Sequence, residues 1–488
     1  MRLYDLLQNL SGYTFFSGRR EADIRGITCN SKDVRGNFMF VAVKGAREDG
    51  HVFIREALER GASAVVVEEG FKDASAFPRT VFVKVKDSRH ALAGLAAGYF
   101  RHPARQMKVI AVTGTNGKTT ISYLIEALLK KRGDSCAVIG TINYRFKDTV
   151  VSSKNTTPGP VELQSLMRKF ADEGIRFVCM EVSSHALNQK RADGIDFSAA
   201  LFTNLTQDHL DYHKTMENYF SAKARLFEGL PPQSLAVINS DDHFSKRLMK
   251  LTRARIIPYG IDRVSGAGVS ARDIKMSLEG TSFTLCFPDG TACALRTTLI
   301  GRHNVYNILS AAAWARDAGF KFEEIRSAIG KFSCVPGRLE KINSRRGFGV
   351  YVDYAHTEDA IKNVITSLRQ VSGKRIIVVF GCGGDRDRSK RPMMGRTVTK
   401  LADYAIITSD NPRSEDPLAI IKEIRKGISG VNYQVIPDRA EAIGESLSLA
   451  RKGDVVLIAG KGHETYQVVQ DKILHFDDRE VVKKCLFR

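Results

Sequence analysis

Paired cysteine spacings are missing from this chain: Cys29, Cys136, Cys179, Cys286, Cys293, Cys334, Cys382 and Cys485 are scattered along its 488 residues. Without repeated short spacings neither a zinc site nor a disulfide framework is suggested, and the thiols read as reduced core residues. Long apolar runs are missing too. No stretch approaches membrane-spanning length, and Met1-Arg2-Leu3-Tyr4-Asp5-Leu6-Leu7 reads as an amphipathic helix start, not a signal peptide. A cytoplasmic protein with no membrane insertion is expected. Acidic residues are outnumbered, 54 against 74, for a net charge of +20, yet no Lys/Arg tail or aromatic-interleaved basic stripe goes with the excess. That pattern fits a solvated surface or small anionic substrates, and no nucleic-acid partner is expected.

What the chain does have is a hydrophobic content of 43%, enough at this length to fill about three domains. Its organising stretch is Met107 to Leu129. Met107 to Val112 reads as a short buried strand, and Ile121, Leu124, Ile125, Leu128 and Leu129 recur at the spacing of one helical face, with Gly133 as a stop. Between them lies Thr113-Gly114-Thr115-Asn116-Gly117-Lys118-Thr119-Thr120. Strand, glycine-bearing turn and helix N-terminus form an anion cradle, to which Lys118 adds a cation and Thr119 a magnesium-ligating hydroxyl. The usual signature would put glycine at Val112, so this is a shortened variant, Gly114-x-x-Gly117-Lys118-Thr119, and it fits a nucleotide triphosphate.

Residues 1–100 alternate strand and helix on a small scale: a strand over Phe38 to Val43, a helix from Phe53 to Arg60, a strand over Ala64 to Val67. Ser31 stands in a turn before them, where a hydroxyl is ordinarily a cap. From about 104 the alternation is larger. Arg176 to Glu181 reads as a strand delivering Glu181 at its carboxyl end, where magnesium is commonly held beside such a loop. Asn204-Leu205-Thr206-Gln207-Asp208-His209-Leu210-Asp211-Tyr212-His213 follows another strand and is rich in acid–base groups. His209 alone would pass for a core or capping histidine; its convergence with Glu181, Asp208 and the glycine turn on one sheet edge favours function. Lys223 falls on a helical pattern where a lysine is usually solvated. Alternation from 277 to 300, turned at Asp289-Gly290, reads as a hairpin on the sheet edge. Cys334-Val335-Pro336-Gly337-Arg338 is the strongest break that follows, and beyond it strands and helices alternate as a doubly wound sheet. Ligands of such sheets sit at the strands' carboxyl ends, where three polar loops are expected: Gly381 to Arg388, Ser409 to Arg413 and Gly460 to Glu464. The expected fold is α/β in three domains, 1–100, 101–335 and 336–488: a central P-loop ATPase with a mostly parallel sheet, and a Rossmann-like doubly wound domain after it.

These motifs, with Asn155-Thr156-Thr157-Pro158, Gly301-Arg302-His303-Asn304-Val305-Tyr306-Asn307 and Asp353-Tyr354-Ala355-His356, resemble the Mur ligases over nearly the whole chain. The closest resemblance is to the branch that adds the third residue of the peptidoglycan stem peptide. It implies a uridine-nucleotide domain, a central ATPase and a C-terminal domain supplying the amino acid. ATP and two magnesium ions are implied, in an enzyme of peptidoglycan precursor synthesis, and so of cell-wall growth, that works as a monomer on small molecules. By similarity Gly114, Thr115, Asn116, Gly117, Lys118, Thr119 and Thr120 hold the phosphates, with Asn304, Arg338 and Asp353 on the rest of the nucleotide. Thr119, Glu181, His209 and Lys223 would hold metal, Lys223 as a carbamate. Carbon dioxide would turn its ammonium into a carboxylate-like group able to bind magnesium. Asn155, Thr156, Thr157, Ser183 and Arg191 match positions for the muramoyl dipeptide, and Ser31 one near uracil. Asp410-Asn411-Pro412-Arg413 matches the selector of diaminopimelate-adding relatives, with Arg386, Gly460 and Glu464 on the same acceptor. Meso-diaminopimelate is the expected amine and L-lysine the alternative. Folylpolyglutamate synthase, a nucleic-acid-dependent ATPase and a non-catalytic nucleotide-gated module are the remoter readings. The first lacks a separate N-terminal domain, and the intact Lys118, Glu181 and His209 set argues against the last.

Overall fold

The computed structural model describes residues 1–17, 22–45, 48–72, 77, 80–262, 264 and 268–486. Its centre is an eleven-stranded sheet built around strand Lys108–Thr113. Parallel neighbours Phe177–Glu181 and Phe197–Phe202 flank that strand, so the glycine turn, Glu181 and the 203–209 loop all leave the sheet at one edge. The strand is buried on both faces: Ile110 and Val112 enter one core cluster, Val109 and Ala111 the other. Alternation is therefore absent from its sequence, as expected for a strand covered on both sides.

Helix Lys118–Arg132 starts after Gly117, whose φ of 92° a residue with a Cβ rarely adopts. It buries Ile121, Leu124, Ile125, Leu128 and Leu129. It ends at Gly133, φ 81°, where the amide of Asp134 caps the Leu129 carbonyl; Lys130, Lys131 and Arg132 complement the dipole there.

Both edges of the sheet are antiparallel. One carries Val269–Ser277, Gly280–Cys286 and Ala292–Thr297, one strand more than the hairpin the alternation predicts. The other carries Asn143–Phe146 and Thr149–Ser152, which the sequence did not announce because the outer strand is exposed throughout and so shows no buried face.

A five-stranded sheet precedes this unit, in the order Thr14–Ser17, Val81–Val85, Ala62–Glu68, Phe38–Val41, Gly26–Thr28. The first, second and last of these were not read from the sequence, and the helix expected from Phe53 is a 3₁₀ turn, Gly50–Phe53, running into Ile54–Glu59. The third sheet runs Glu340–Ile342, Gly349–Asp353, Val455–Ala459, Ile376–Phe380, Tyr404–Ile407, Tyr433–Val435 and is parallel apart from its first strand. Helices Glu358–Val371, Lys390–Leu401 and Pro417–Arg425 pack on one face, Arg439–Leu449 and Asp478–Leu486 on the other, which makes it doubly wound. An antiparallel pair, Tyr466–Val469 with Lys472–His475, follows the last parallel strand and was also unannounced. Among the described residues no helix is long and apolar enough to cross a membrane, and the eight cysteines are free.

Candidate active site

The glycine turn is held open from behind. Thr115 N–H donates to the Asn204 carbonyl at 2.8 Å, Asn116 N–H to Asn204 Oδ1 at 3.0 Å, and Thr203 Oγ1 to the Asn116 carbonyl at 2.6 Å. Lys118 curls back, its Nζ 2.9 Å from the carbonyls of Gly114 and Thr115. Burial pushes its ammonium below the ordinary range, with Glu181 and Asp208 opposing. At Gly114, φ 144°, a Cβ would lie 1.8 Å from Thr203 Oγ1, so only glycine lets the two loops meet.

Glu181 is the hub beneath. It is buried to 1% exposure; Oε2 accepts from Thr119 Oγ1 at 3.0 Å and Thr141 Oγ1 at 2.8 Å, and Oε1 from Thr141 N–H at 3.0 Å. Thr141 also meets Thr156 Oγ1 at 3.1 Å, and Thr157 Oγ1 donates to the Glu181 carbonyl at 2.8 Å. Ser183 N–H donates to Thr157 Oγ1, and Arg191 Nη1 to the Thr157 carbonyl at 3.0 Å. Thr156, Thr157, Ser183 and Arg191 thus form one polar wall beside Glu181. Asn155 is exposed at its end, its carbonyl accepting from Tyr144. Ser31 stays in the first unit, where its hydroxyl donates to Glu56 Oε2 at 2.6 Å.

Lys223 is not a surface lysine. It lies on helix Met216–Glu228 at 2% exposure, its Nζ 2.9 Å from the Gly114 carbonyl and 4.7 Å from the Tyr219 ring centre. Burial, then the neighbouring Lys118, pushes its amine well below the ordinary lysine range. The uncharged amine is the nucleophilic form, which is what reaction with carbon dioxide requires. His209 packs edge-on to His185 at 4.8 Å; burial holds it down to about 3 against the pull of Asp208, so its ring is neutral at physiological pH.

A cavity of about 510 Å³ opens between the central and third sheets. Asn116, Gly117, Thr119 and Thr120 line it from the glycine turn, Asn304 and Asn307 from helix Arg302–Asp317, and Arg338, Asp353 and Asp359 from the third unit. Arg338 Nη2 reaches Thr119 Oγ1 at 3.3 Å. Asp353 differs from a free ribose ligand: Leu339 N–H donates to Oδ2 at 2.6 Å and Ala355 N–H to Oδ1 at 2.7 Å, so its carboxylate also fixes the turn that aims Arg338.

The three polar loops gather at the carboxyl edge of the third sheet. Asn411, 2% exposed, donates from Nδ2 to Glu464 Oε2 at 2.7 Å and accepts on Oδ1 from the fully buried Lys461 at 3.1 Å and from Val468 N–H at 3.0 Å. Burial and then Asp410 push the Glu464 carboxyl up. Arg413 sits at φ 53°, pinned by its own N–H to the Val468 carbonyl, with Nη1 donating to the Gly384 carbonyl at 2.7 Å. Gly460, φ 117°, packs on Asp410: a Cβ there would fall 2.5 Å from Oδ2. Arg386 is exposed in the first loop. Beneath, Arg391, 0% exposed, bridges Glu415 and Glu423, and from Nη2 also donates to the Gly383 carbonyl.

Three family descriptions match the chain in order: "Mur ligase family, catalytic domain" over residues 23–100, "Mur ligase middle domain" over 112–315 and "Mur ligase, glutamate ligase domain" over 337–462. The chain belongs to the Mur ligase family. One relative, the UDP-N-acetylmuramoyl-L-alanyl-D-glutamate–2,6-diaminopimelate ligase of Geobacillus thermodenitrificans, is 44% identical over 100% of this chain and 99% of its own. A solved structure with the same enzyme name matches at 35% identity and TM-score 0.67, covering 95% of each chain. Mycobacterium tuberculosis folylpolyglutamate synthase complexed with ADP, at 18% identity and TM-score 0.64, shares the fold over 76% of this chain.

Several residues of this Mur ligase site were not singled out from sequence. Thr141 lies in no motif, and Lys461 lies in the 460–464 loop without standing out there; they matter through partners 40 and 50 residues away, Glu181 and Asn411. Asp359 could have been suspected from Asp353-Tyr354-Ala355-His356, which it follows by three residues. For magnesium, the donor set is suitable: the Thr119 hydroxyl and the buried Glu181 carboxylate are hard oxygen ligands, and His209 is neutral. Among the described residues no three His, Cys, Asp or Glu side chains close a cage of their own. That suits an ion shared with phosphate oxygens and water.

Proposed function

We propose that this Mur ligase adds meso-diaminopimelate to UDP-N-acetylmuramoyl-L-alanyl-D-glutamate, with ATP as the second substrate. One pairing of opposite charges carries the choice of amine: Arg413 and Glu464 stand on loops joined through Asn411 and Val468. Diaminopimelate ends in both a carboxylate and an ammonium, which these two match, whereas lysine offers only the ammonium.

The chemistry follows from the electrophile. A free carboxylate resists amine attack, so a carboxylate oxygen of the dipeptide takes the terminal phosphoryl group of ATP as the bond to ADP breaks. The acceptor amine then attacks the acyl carbon, loses a proton and expels phosphate. The main-chain amides at the start of helix Lys118–Arg132 and the Lys118 side chain bind the phosphates and meet the charge that builds during transfer, while the Thr115 and Asn116 amides, bonded to Asn204, hold the turn in shape. Thr156, Thr157, Ser183 and Arg191 orient the dipeptide, Ser31 and Asn155 extend that site, and Arg338 with Asn304 holds the nucleotide. Thr119, Glu181, His209 and carbamylated Lys223 would hold two magnesium ions, which supply charge neutralisation at the phosphates. Arg386 and Gly460 complete the acceptor site with Asp410 and Asn411. A cytoplasmic monomer fits this reading.

Phosphate release measured with the UDP-muramoyl dipeptide against a panel of amino acids tests it. Release with meso-diaminopimelate well above L-lysine is expected; equal turnover of the two, or none with any amine, would overturn the assignment.

A further inference from the structure

Asp359 lies in the first turn of helix Glu358–Val371, in the third unit, yet its partners are in the second. Asn116 Nδ2 donates to its Oδ2 at 3.1 Å and Thr206 Oγ1 at 3.0 Å; only Asn363 Nδ2, at 3.2 Å, comes from its own helix. Asn116 belongs to the nucleotide loop and Thr206 to the 203–209 loop bonded to it. Asn116 is fixed through its main chain by Asn204 and Thr203, and Thr206 N–H donates to Thr115 Oγ1 at 3.0 Å. Asp359, Asn363 and Val364 also line the nucleotide cavity. An aspartate at a helix start is often there only for the helix dipole. Here one oxygen gathers three donors, two of them from across a boundary between units, a more specific arrangement than a dipole partner needs.

We infer that Asp359 is a positioning residue that makes the shape of the nucleotide loop depend on the third unit being docked. With Arg338 reaching Thr119 from the same side, it ties the phosphate cradle to the unit that carries the amino-acid loops. ATP is then held well only when the acceptor site is in place beside it. This rests on the assignment of the cavity to a nucleotide.

The test is the dissociation constant of magnesium–ATP, measured by calorimetry on the full-length protein and its variants. Asp359→Ala is expected to weaken ATP about tenfold. Asp359→Asn keeps an acceptor oxygen and is expected to stay within about threefold of the parent. Because Asp359 acts through Asn116 and Thr206, Asn116→Ala combined with Asp359→Ala should cost much less than the product of the two single losses. The Michaelis constant for the muramoyl dipeptide should not move in Asp359→Ala. Glu358→Gln, whose parent carboxylate bonds Thr397 within its own unit, should bind ATP as the parent does. Parent-like binding by Asp359→Ala, Asn no better than Ala, or losses that multiply in the double variant would overturn the inference. So would an equal loss in Glu358→Gln, which would reduce the effect to a disturbed helix start. Failure of the parent protein to bind ATP would overturn the nucleotide assignment with it; a binding parent with an unaffected Asp359→Ala would overturn the positioning role alone.

Discussion

The glycine turn and the three polar loops of the third unit occupy the same place on two different sheets, the carboxyl edge of parallel strands, and on the proposed reading they take nucleotide and amino acid in opposite ways. In the first, the main chain is the instrument: glycine at 114 and 117 lets the turn fold against Thr203 and Asn307 at the start of helix Lys118–Arg132. In the second, side chains brought from separate loops are the instrument, with Asn411 and Glu464 meeting across 53 positions of sequence. Phosphate is the same in every reaction of this kind, so a fixed backbone serves it; an amino acid must be told from its relatives, which takes placed charges.

The largest loss should come from the first region. Lys118→Ala removes the cation bonded to Gly114 and Thr115, and phosphate release at saturating substrates should fall by about 3 kcal/mol of transition-state stabilisation or more. Near-normal turnover would mean that the backbone suffices alone. Lys223→Ala should fall nearly as far, about two to three orders of magnitude in turnover, with partial recovery on adding short-chain carboxylates. Lys223→Arg should not respond to bicarbonate, since a guanidinium does not form the carbamate. Full activity in Lys223→Ala would leave this buried amine a packing residue.

In the second region the effect should be selective, not general. Arg413→Ala should lose about 2–3 kcal/mol in kcat/KM toward diaminopimelate, because a carboxylate would be left without its partner. Its turnover of L-lysine, however slow, should not fall in parallel; equal losses for both amines would mean that Arg413 only holds Gly384. The smallest effect concerns stability. The Arg391 guanidinium bonded to Glu415 holds that carboxyl down to about 2, from an ordinary value of 4.5. A depressed carboxyl contributes stability above its unfolded value, so the contribution is intact above 4.5 and is lost as pH falls toward 2. Glu415→Gln should flatten the pH dependence of the denaturation midpoint in that window, and an unchanged slope would show that other carboxyls dominate it.

The same contrast explains what could be read from the sequence. The 113–120 turn was legible because glycine spacing, a lysine and a following apolar stripe are all local, and so was Glu181 at the end of a buried strand. Strand Val81–Val85 goes unread although four of its five residues are buried: unlike the equally covered Lys108–Thr113, it is followed by no motif that marks it. Lys461 reads as a loop lysine and is fully buried; nothing near it in sequence announces Asn411. On composition Lys223 reads as a solvated lysine, and only the family resemblance points it inward. Polar residues whose partners come from distant segments are invisible to local pattern, and the proposed amino-acid site is made of them.

The Arg391 bridge has a consequence for that site's dimensions. Loop 381–388 is fastened through the Gly383 carbonyl and loop 409–416 through Glu415, both to one guanidinium, and Asp385 N–H donates to Glu415 Oε1 at 2.6 Å. Two loops clamped to a common buried cation cannot open and close independently, so the pair behaves like a caliper locked at one setting. If these loops hold the acceptor as proposed, one shortened or lengthened by a single methylene should meet a gap of the wrong length, and retuning this enzyme to such a substrate would start with resetting the clamp.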